Sequence, residues 1–298
     1  MKIRVGTRGS RLALKQVEIA FSRFAEEEYE VVVIKTEGDI DRRSPLAALS
    51  QGAFERELND ALVMGDIDLA VHSMKDVPMD LPQRITLAAI PDRASPNDLF
   101  VSSSGMTLEE LPAGAKIGTS SVRRTAQIMS QRRDLKIDWI RGNVDTRIRK
   151  VRERLYDGTI IAEAGVARLG LATGKEQRLP ISKFPTSPGQ GAIGVYARAP
   201  DRSILERVRE ANSDAHMREV LAEREFLRRA GGGCAAPLGC TARVEGGRMS
   251  LTCGLYAIDG SRFAIRAFEF DSSDPAQSGR AAADSVLGDH DVKEFWGR

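Results

Sequence analysis

Apolar and polar residues alternate along this chain in short blocks, and the period of each block predicts an element. Residues 2–7 alternate charged and apolar positions as a half-buried strand does. Residues 10–28 follow a helical period, and 30–36 (Glu-Val-Val-Val-Ile-Lys-Thr) read as a second strand. A loop leads to a helix over 53–64 and then to Ile67-Asp68-Leu69-Ala70-Val71, an apolar run of the kind buried in a parallel sheet. The alternation resumes with strand 116–118, helix 121–132, strand 136–140, helix 143–154 and strand 158–162. Strands alternating with helices predict an α/β fold, here in two lobes of similar length.

Pro185, Pro188, Gly189 and Gly191 interrupt the pattern, and Gln190 to Tyr196 reads as a strand returning to the first lobe. A helix over 214–230 runs into Gly231-Gly232-Gly233. Strands at 248–257 and 261–270 then flank an Asp259-Gly260 turn, with a helix over 275–287 after them. The expected division is a first domain of 1–92 with 190–210, an arginine-rich second domain of 97–186, and a small α+β third domain of 214–298. No apolar run reaches the ~18 residues of a spanning helix, and no apolar leader core follows the first strand, so a cytosolic protein is expected.

Composition narrows the chemistry. Of the 44 Lys and Arg residues 10 are lysine and 34 arginine, against 42 Asp and Glu, for a net charge of +2. That balance argues against a surface built for nucleic acid, so any anion site is local. Codon preference is one reading of the arginine excess. The other is that guanidinium forks grip carboxylates or phosphates. Cys234, Cys240 and Cys253 form no CxxC pair and the three histidines are scattered, so no metal site and no disulfide framework is expected.

Two turns repeat one local device. Gly6-Thr7-Arg8-Gly9-Ser10 and Gly118-Thr119-Ser120-Ser121 each join a strand to a helix start through small hydroxyl residues. Such a turn is either an ordinary N-cap or an anion site built from N–H groups and the helix dipole. Ligands bind beyond the carboxyl ends of strands in open α/β sheets, so the two lobes are expected to enclose a cleft. Arg123 and Arg124 occupy a first helical turn, where the dipole disfavours cations unless an anion is shared. Arg141-Gly142-Asn143 caps the next helix, whereas Arg149, Arg152 and Arg154 read as a solvated face. Asp76, in the polar run after a buried strand, is either a cap or a catalytic carboxylate. Cys234 follows three glycines on a permissive loop that suits an accessible nucleophile, although a lone cysteine is more often a small core residue.

Taken together, GTRGS at 6–10, VHSMKDVP at 71–78, GTSSVRR at 118–124, RGNVDTR at 141–147, AGVARLGL at 164–171, GQGAIG at 189–194 and GGGCAAPLG at 231–239 closely resemble the porphobilinogen deaminases, in order over essentially the whole chain. The resemblance implies a cytoplasmic, monomeric transferase of heme and tetrapyrrole biosynthesis, with no nucleic-acid or membrane partner. It would condense four porphobilinogen molecules head to tail, releasing ammonia, into linear hydroxymethylbilane. It also implies two lobes like type II periplasmic binding proteins around a cleft, a small C-terminal α+β domain, and a dipyrromethane cofactor in thioether linkage to Cys234.

By motif position, catalysis falls to Asp76 with Lys75. The cofactor falls to Arg123, Arg124, Ser73, Thr119, Ser120 and Ser121, and the substrate to Arg8, Ser10, Arg141, Arg147, Arg168 and Gln190. Each porphobilinogen carries an acetate and a propionate, which gives the arginine excess a use. The chain departs from its relatives between Glu37 and Gln51. The usual lysines are missing there and Glu37 replaces a usual arginine, leaving Arg42 and Arg43 as the cations of that loop. A two-lobed protein that binds a small anion without chemistry would explain the lobes and arginines but leave Cys234 without a task.

Overall fold

The computed structural model describes residues 2–22, 24, 28–36, 55–231 and 236–296. Cys234 and the loop carrying Arg42 and Arg43 lie outside them. The chain forms two compact units, Met1–Ala94 with Gly191–Met217, and Ser95–Gln190 with Arg218–Arg298.

In the first unit, strands β1 (Ile3–Thr7), β2 (Tyr29–Val33), β3 (Leu69–Ser73), β4 (Ile85–Ala89) and β10 (Ile193–Arg198) form one sheet in the order β2-β1-β3-β10-β4. β1 runs parallel to β2 and β3, and β10 is antiparallel to both its neighbours. The apolar run at 67–71 is buried because β3 is the central strand. Helices α1 (Arg11–Ala20) and α2 (Arg56–Met64) belong to this unit. The core joins Val5, Val17, Leu69, Val71, Ile193 and Val195. α1 is shorter than the helix expected over 10–28. The later apolar positions serve an aromatic cluster instead, with Phe21 5.2 Å from Phe24 and 5.0 Å from Tyr29 between ring centroids.

In the second unit, β5 (Asp98–Ser102), β6 (Lys116–Gly118), β7 (Lys136–Asp138), β8 (Gly158–Ala162) and β9 (Gln177–Arg178) form a sheet in the order β7-β6-β8-β5-β9. β6 is parallel to β7 and β8, and β5 is antiparallel to β8 and β9. Both sheets thus share one plan, with an antiparallel strand in the fourth place. α3 (Val122–Gln131), α4 (Val144–Arg152) and α5 (Glu163–Arg168) follow β6, β7 and β8 in turn. Alternate residues of β5 and β8 enter two cores, Phe100 and Ile160 in one, Leu99, Val101 and Ile161 in the other. Both faces of these strands are therefore covered, as parallel-type sheets require.

After α6 (Arg202–Arg209) and α7 (Asp214–Ala230), β11 (Leu238–Glu245), β12 (Arg248–Tyr256) and β13 (Phe263–Asp271) make an antiparallel sheet, followed by α8 (Pro275–Gly288) and α9 (His290–Lys293). The outer edge of β11 is closed by other parts of the unit. Cys240 N–H donates to the Thr186 carbonyl (2.8 Å), Ala242 N–H to the Glu223 carboxylate (2.7 Å) and Val244 N–H to Glu219 (3.0 Å). Gly239 is required at this seam, because a Cβ there would strike the Pro185 carbonyl.

One buried carboxylate organises the second unit. Asp98, 1% exposed at the start of β5, accepts from Arg124 Nη2 (2.7 Å), Arg124 Nε (3.2 Å), Arg123 Nη2 (3.0 Å) and Gln190 Nε2 (2.8 Å). Arg123 Nη1 also donates to Gln127 and to the Pro185 carbonyl, and Arg124 Nη1 to the Ile160 carbonyl. Burial alone would raise the Asp98 pKa, but the charges of Arg124 and Arg123 outweigh it and hold the group far below the usual carboxylate range. Burial lowers the Arg123 pKa, opposed by the Asp98 charge.

Asp98→Asn leaves two buried guanidiniums without their anion, so it should destabilise the protein by about 3–5 kcal/mol, read by urea unfolding at neutral pH. Because the folded pKa is depressed, the contribution is complete above the unfolded value of about 3.9 and is lost as pH falls below it. The gap between wild type and variant should therefore stay constant at neutral pH and close only in acid. A variant as stable as wild type at pH 7 would show that the hub carries no net energy.

Candidate active site

The expected residues of the first unit collect at the carboxyl ends of β1 and β3. Parallel pairing sets Val5 against Leu69 and Gly6 against Ala70, so the same stagger brings the Arg8 position toward His72. Burial first, and the Arg8 charge second, push His72 down to about 4, which leaves its imidazole neutral at neutral pH. Its ring stands edge-on to Tyr196 at 5.8 Å. Ser10 caps α1, its hydroxyl accepting from Ala13 N–H (3.2 Å). Ser73 accepts from the buried Gln16 amide (2.7 Å).

Beyond Ser73 the chain makes one 3-10 turn, Met74–Asp76. Met74 is buried, its sulfur accepting from the Tyr196 hydroxyl at 3.2 Å. With the turn held by its buried member, Lys75 is half-buried and Asp76 is exposed. The Asp76 carboxylate makes no hydrogen bond or ion pair among the described residues, so here it does not act as a cap.

In the second unit the corresponding edge lies beyond β6, β7 and β8. Thr119 N–H donates to the Asp138 carbonyl (2.9 Å), and its hydroxyl accepts from Ser121 N–H (3.2 Å). Ser121 caps α3 by accepting from Arg124 N–H (3.4 Å). Two of the three hydroxyls thus shape the turn. The Ser120 hydroxyl makes no hydrogen bond among the described residues.

Beyond β7, Arg141-Gly142-Asn143 leads into α4. Gly142 has φ 116°, a conformation that favours glycine, and a Cβ there would meet the Thr146 side chain. Arg147 Nε donates back to the Gly142 carbonyl (2.8 Å), and Lys150 Nζ to the Arg141 carbonyl (3.1 Å). The Arg141 guanidinium lies over the Trp139 ring, 5.0 Å from its centroid. The turn, Arg141 and Arg147 form one local assembly. Arg168 closes α5, the helix that follows β8.

Three expected ligand contacts sit deeper than the motif reading places them. Arg123 and Arg124 are 5% and 6% exposed and engage Asp98, which supplies the shared anion that their first-turn position requires. Gln190, expected to bind substrate, is fully buried, and its amide donates to Asp98 and to the Pro96 carbonyl (2.7 Å). Two guanidiniums against one carboxylate leave this cluster with a net charge of +1 directly behind the Thr119–Ser121 turn.

Motif reading missed Asp98, Gln127 and Gln16. Asp98 had a signal, since an acidic residue opening the apolar run Leu99-Phe100-Val101 must be buried with a partner. Gln16 had another, a polar residue on the apolar face of α1. Among the described residues no three His, Cys, Asp or Glu side chains gather as a metal site, and no helix is long and apolar enough to cross a membrane.

Comparison with known proteins agrees with these motifs. Residues 3–206 match the family model described as "Porphobilinogen deaminase, dipyromethane cofactor binding domain", and 217–288 match "Porphobilinogen deaminase, C-terminal domain". A "Probable porphobilinogen deaminase" of Hyperthermus butylicus is 43% identical over 95% of this chain and 95% of its own length. A "Porphobilinogen deaminase" of Desulforudis audaxviator is 42% identical over 95% and 92%. Among solved structures, a putative methionine-binding lipoprotein of Bacillus subtilis superposes with a TM-score of 0.43 at 13% identity, covering 72% of this chain and 92% of that one. Two family models over most of its length and relatives similar from end to end show that the chain belongs to the porphobilinogen deaminase family, transferases that condense four porphobilinogens head to tail, with loss of ammonia, on a covalently held dipyrromethane.

Proposed function

We propose that this chain performs the family reaction with Asp76 as its catalytic carboxylate. The observation that carries this reading is the exposed Asp76 carboxylate, without a hydrogen bond or ion pair among the described residues, on a turn held by the buried Met74. The donor chemistry of the strand ends fits a polycarboxylate pyrrole. Ser120 brings a hydroxyl, Arg141 and Arg147 bring guanidiniums to one turn, and the hub behind the Thr119–Ser121 turn adds positive charge. Ser73, Thr119, Ser120 and Ser121 would hold the dipyrromethane carboxylates, with Arg123 and Arg124 supplying charge from beneath and Gln190 fixing their anion. Arg8, Ser10, Arg141, Arg147 and Arg168 would meet substrate carboxylates.

The dipyrromethane, joined to Cys234, supplies when bound a nucleophilic pyrrole carbon that primes the chain. Asp76 accepts the pyrrole N–H of the incoming substrate and stabilises the positive charge that spreads onto that nitrogen as ammonia leaves. Lys75, on the same turn, is assigned to catalysis with it. Neutral His72 adds no further positive charge beside Arg8. A cytoplasmic monomer is the setting that the family resemblance supports.

The purified protein should be heavier than its sequence by two pyrrole units less the ammonia lost, and Cys234→Ala should carry no adduct in intact mass spectrometry. An unmodified, fully active protein would overturn the assignment. Asp76→Asn should lower turnover by at least about 10²-fold, as for loss of a positioned electrostatic group, while Asp76→Glu retains part of it. Near-normal turnover in the Asn variant would remove Asp76 from the chemistry. Neutralising Arg141 or Arg147 should leave enzyme-bound chains of partial length as a mass ladder, whereas Arg152→Gln should behave as wild type. Equal effects at all three would point to a diffuse field instead.

A further inference from the structure

Two cysteines outside the proposed chemistry meet in the C-terminal sheet. Cys240 on β11 and Cys253 on β12 are direct cross-strand partners, both fully buried, with Sγ atoms 3.2 Å apart. The hydrogen-bond pattern defines the kind of pair. Cys240, Ala242 and Val244 direct their N–H groups outward, to Thr186, Glu223 and Glu219, so none of them donates to β12. Cys240 and Cys253 therefore form a non-hydrogen-bonded pair, the closer of the two antiparallel spacings, with Cα atoms about 4.5 Å apart. That falls inside the range of roughly 4.4–6.8 Å that a disulfide spans, and the sulfurs need approach by only about 1 Å to bond.

We propose that Cys240 and Cys253 are a two-electron redox site that closes to a disulfide within the native sheet when the protein meets hydrogen peroxide. One sulfur, as its thiolate, attacks a peroxide oxygen. The O–O bond breaks, a sulfenic acid forms, and the departing hydroxide takes up a proton as water. The neighbouring sulfur attacks the sulfenic sulfur. An S–S bond forms, the S–O bond breaks, and a second water leaves with the remaining thiol proton. Each sulfur gives up one electron, and the peroxide becomes two waters. Because the resolving sulfur is already in contact, the sulfenic acid is intercepted before it reaches the irreversible sulfinic state, which would place a charge in the buried face that also holds Leu238, Leu251 and Leu255.

The test uses the holoenzyme, in which the thioether at Cys234 leaves two thiols. Peroxide treatment should bring the number alkylated by iodoacetamide in denaturant from two to zero. Intact mass should fall by about 2 Da, one peptide should join Cys240 to Cys253, and dithiothreitol should reverse all three. The near-ultraviolet circular dichroism should be unchanged. Cys253→Ser should show no 2 Da loss. Full alkylation after peroxide, sulfinic or sulfonic acid at either residue, a 2 Da loss that persists in Cys253→Ser, or cross-linking only with loss of the native dichroism would each overturn the proposal. Should Cys253→Ser fail to fold, the wild-type peptide map decides alone. Three thiols before oxidation would count against the Cys234 assignment without touching this one.

Discussion

Burying Asp98 among Arg123, Arg124 and Gln190 ties together three segments distant in sequence: the start of β5, the first turn of α3, and the stretch ending at Gln190. A carboxylate removed from water is tolerated only when its oxygens are fully engaged, and here they accept four hydrogen bonds. The same carboxylate resolves a conflict in α3, whose dipole would otherwise repel two cations in its opening turn. With that turn fixed from below, Thr119, Ser120 and Ser121 are held at the end of β6. The arginines farther along, at 141 and 147, owe their placement to a separate device, the Gly142 turn and the bond from Arg147 back to it.

The first unit positions its residues by strand register instead of buried charge. Parallel pairing of β1 with β3 brings Arg8 and the 3-10 turn to one sheet edge, and Met74, seated under Tyr196, orients Lys75 and Asp76. Both units use the same general location, beyond the carboxyl ends of parallel strands, where helix starts and loop residues escape the ladder. One reaches it through packing and the other through a salt-bridged core.

Much of this was legible in the sequence because buried parallel strands and amphipathic helices have strong periods. The helices near 122–131 and 144–152 and the hairpin around Asp259-Gly260 fall where their patterns place them, and the run at 67–71 overlaps β3, which lies two residues further on at Leu69–Ser73. β11 was missed because its pattern is muted by Gly239 and Ala242, small residues at a seam against Pro185 and α7. The strand expected over 190–196 begins at Ile193, since Gln190 serves the Asp98 hub before the ladder starts. Motif reading found the strand-end residues, whose chemistry is local. It missed the depth of Arg123, Arg124 and Gln190, because depth depends on Asp98, a partner that no local pattern announces.

The first sheet takes its fourth strand from Ile193–Arg198, which the ribosome delivers only after the chain has passed through strands β5–β9 and helices α3–α5 of the other unit. Until then β3 has one open edge, and the core lacks Ile193, Val195 and Ala197. Pairing of such high sequence separation is slow and leaves partly built sheets exposed. The N-terminal half of this protein is thus a poor candidate for independent folding during synthesis. Truncations ending before β10 should yield aggregation-prone fragments instead of a working half.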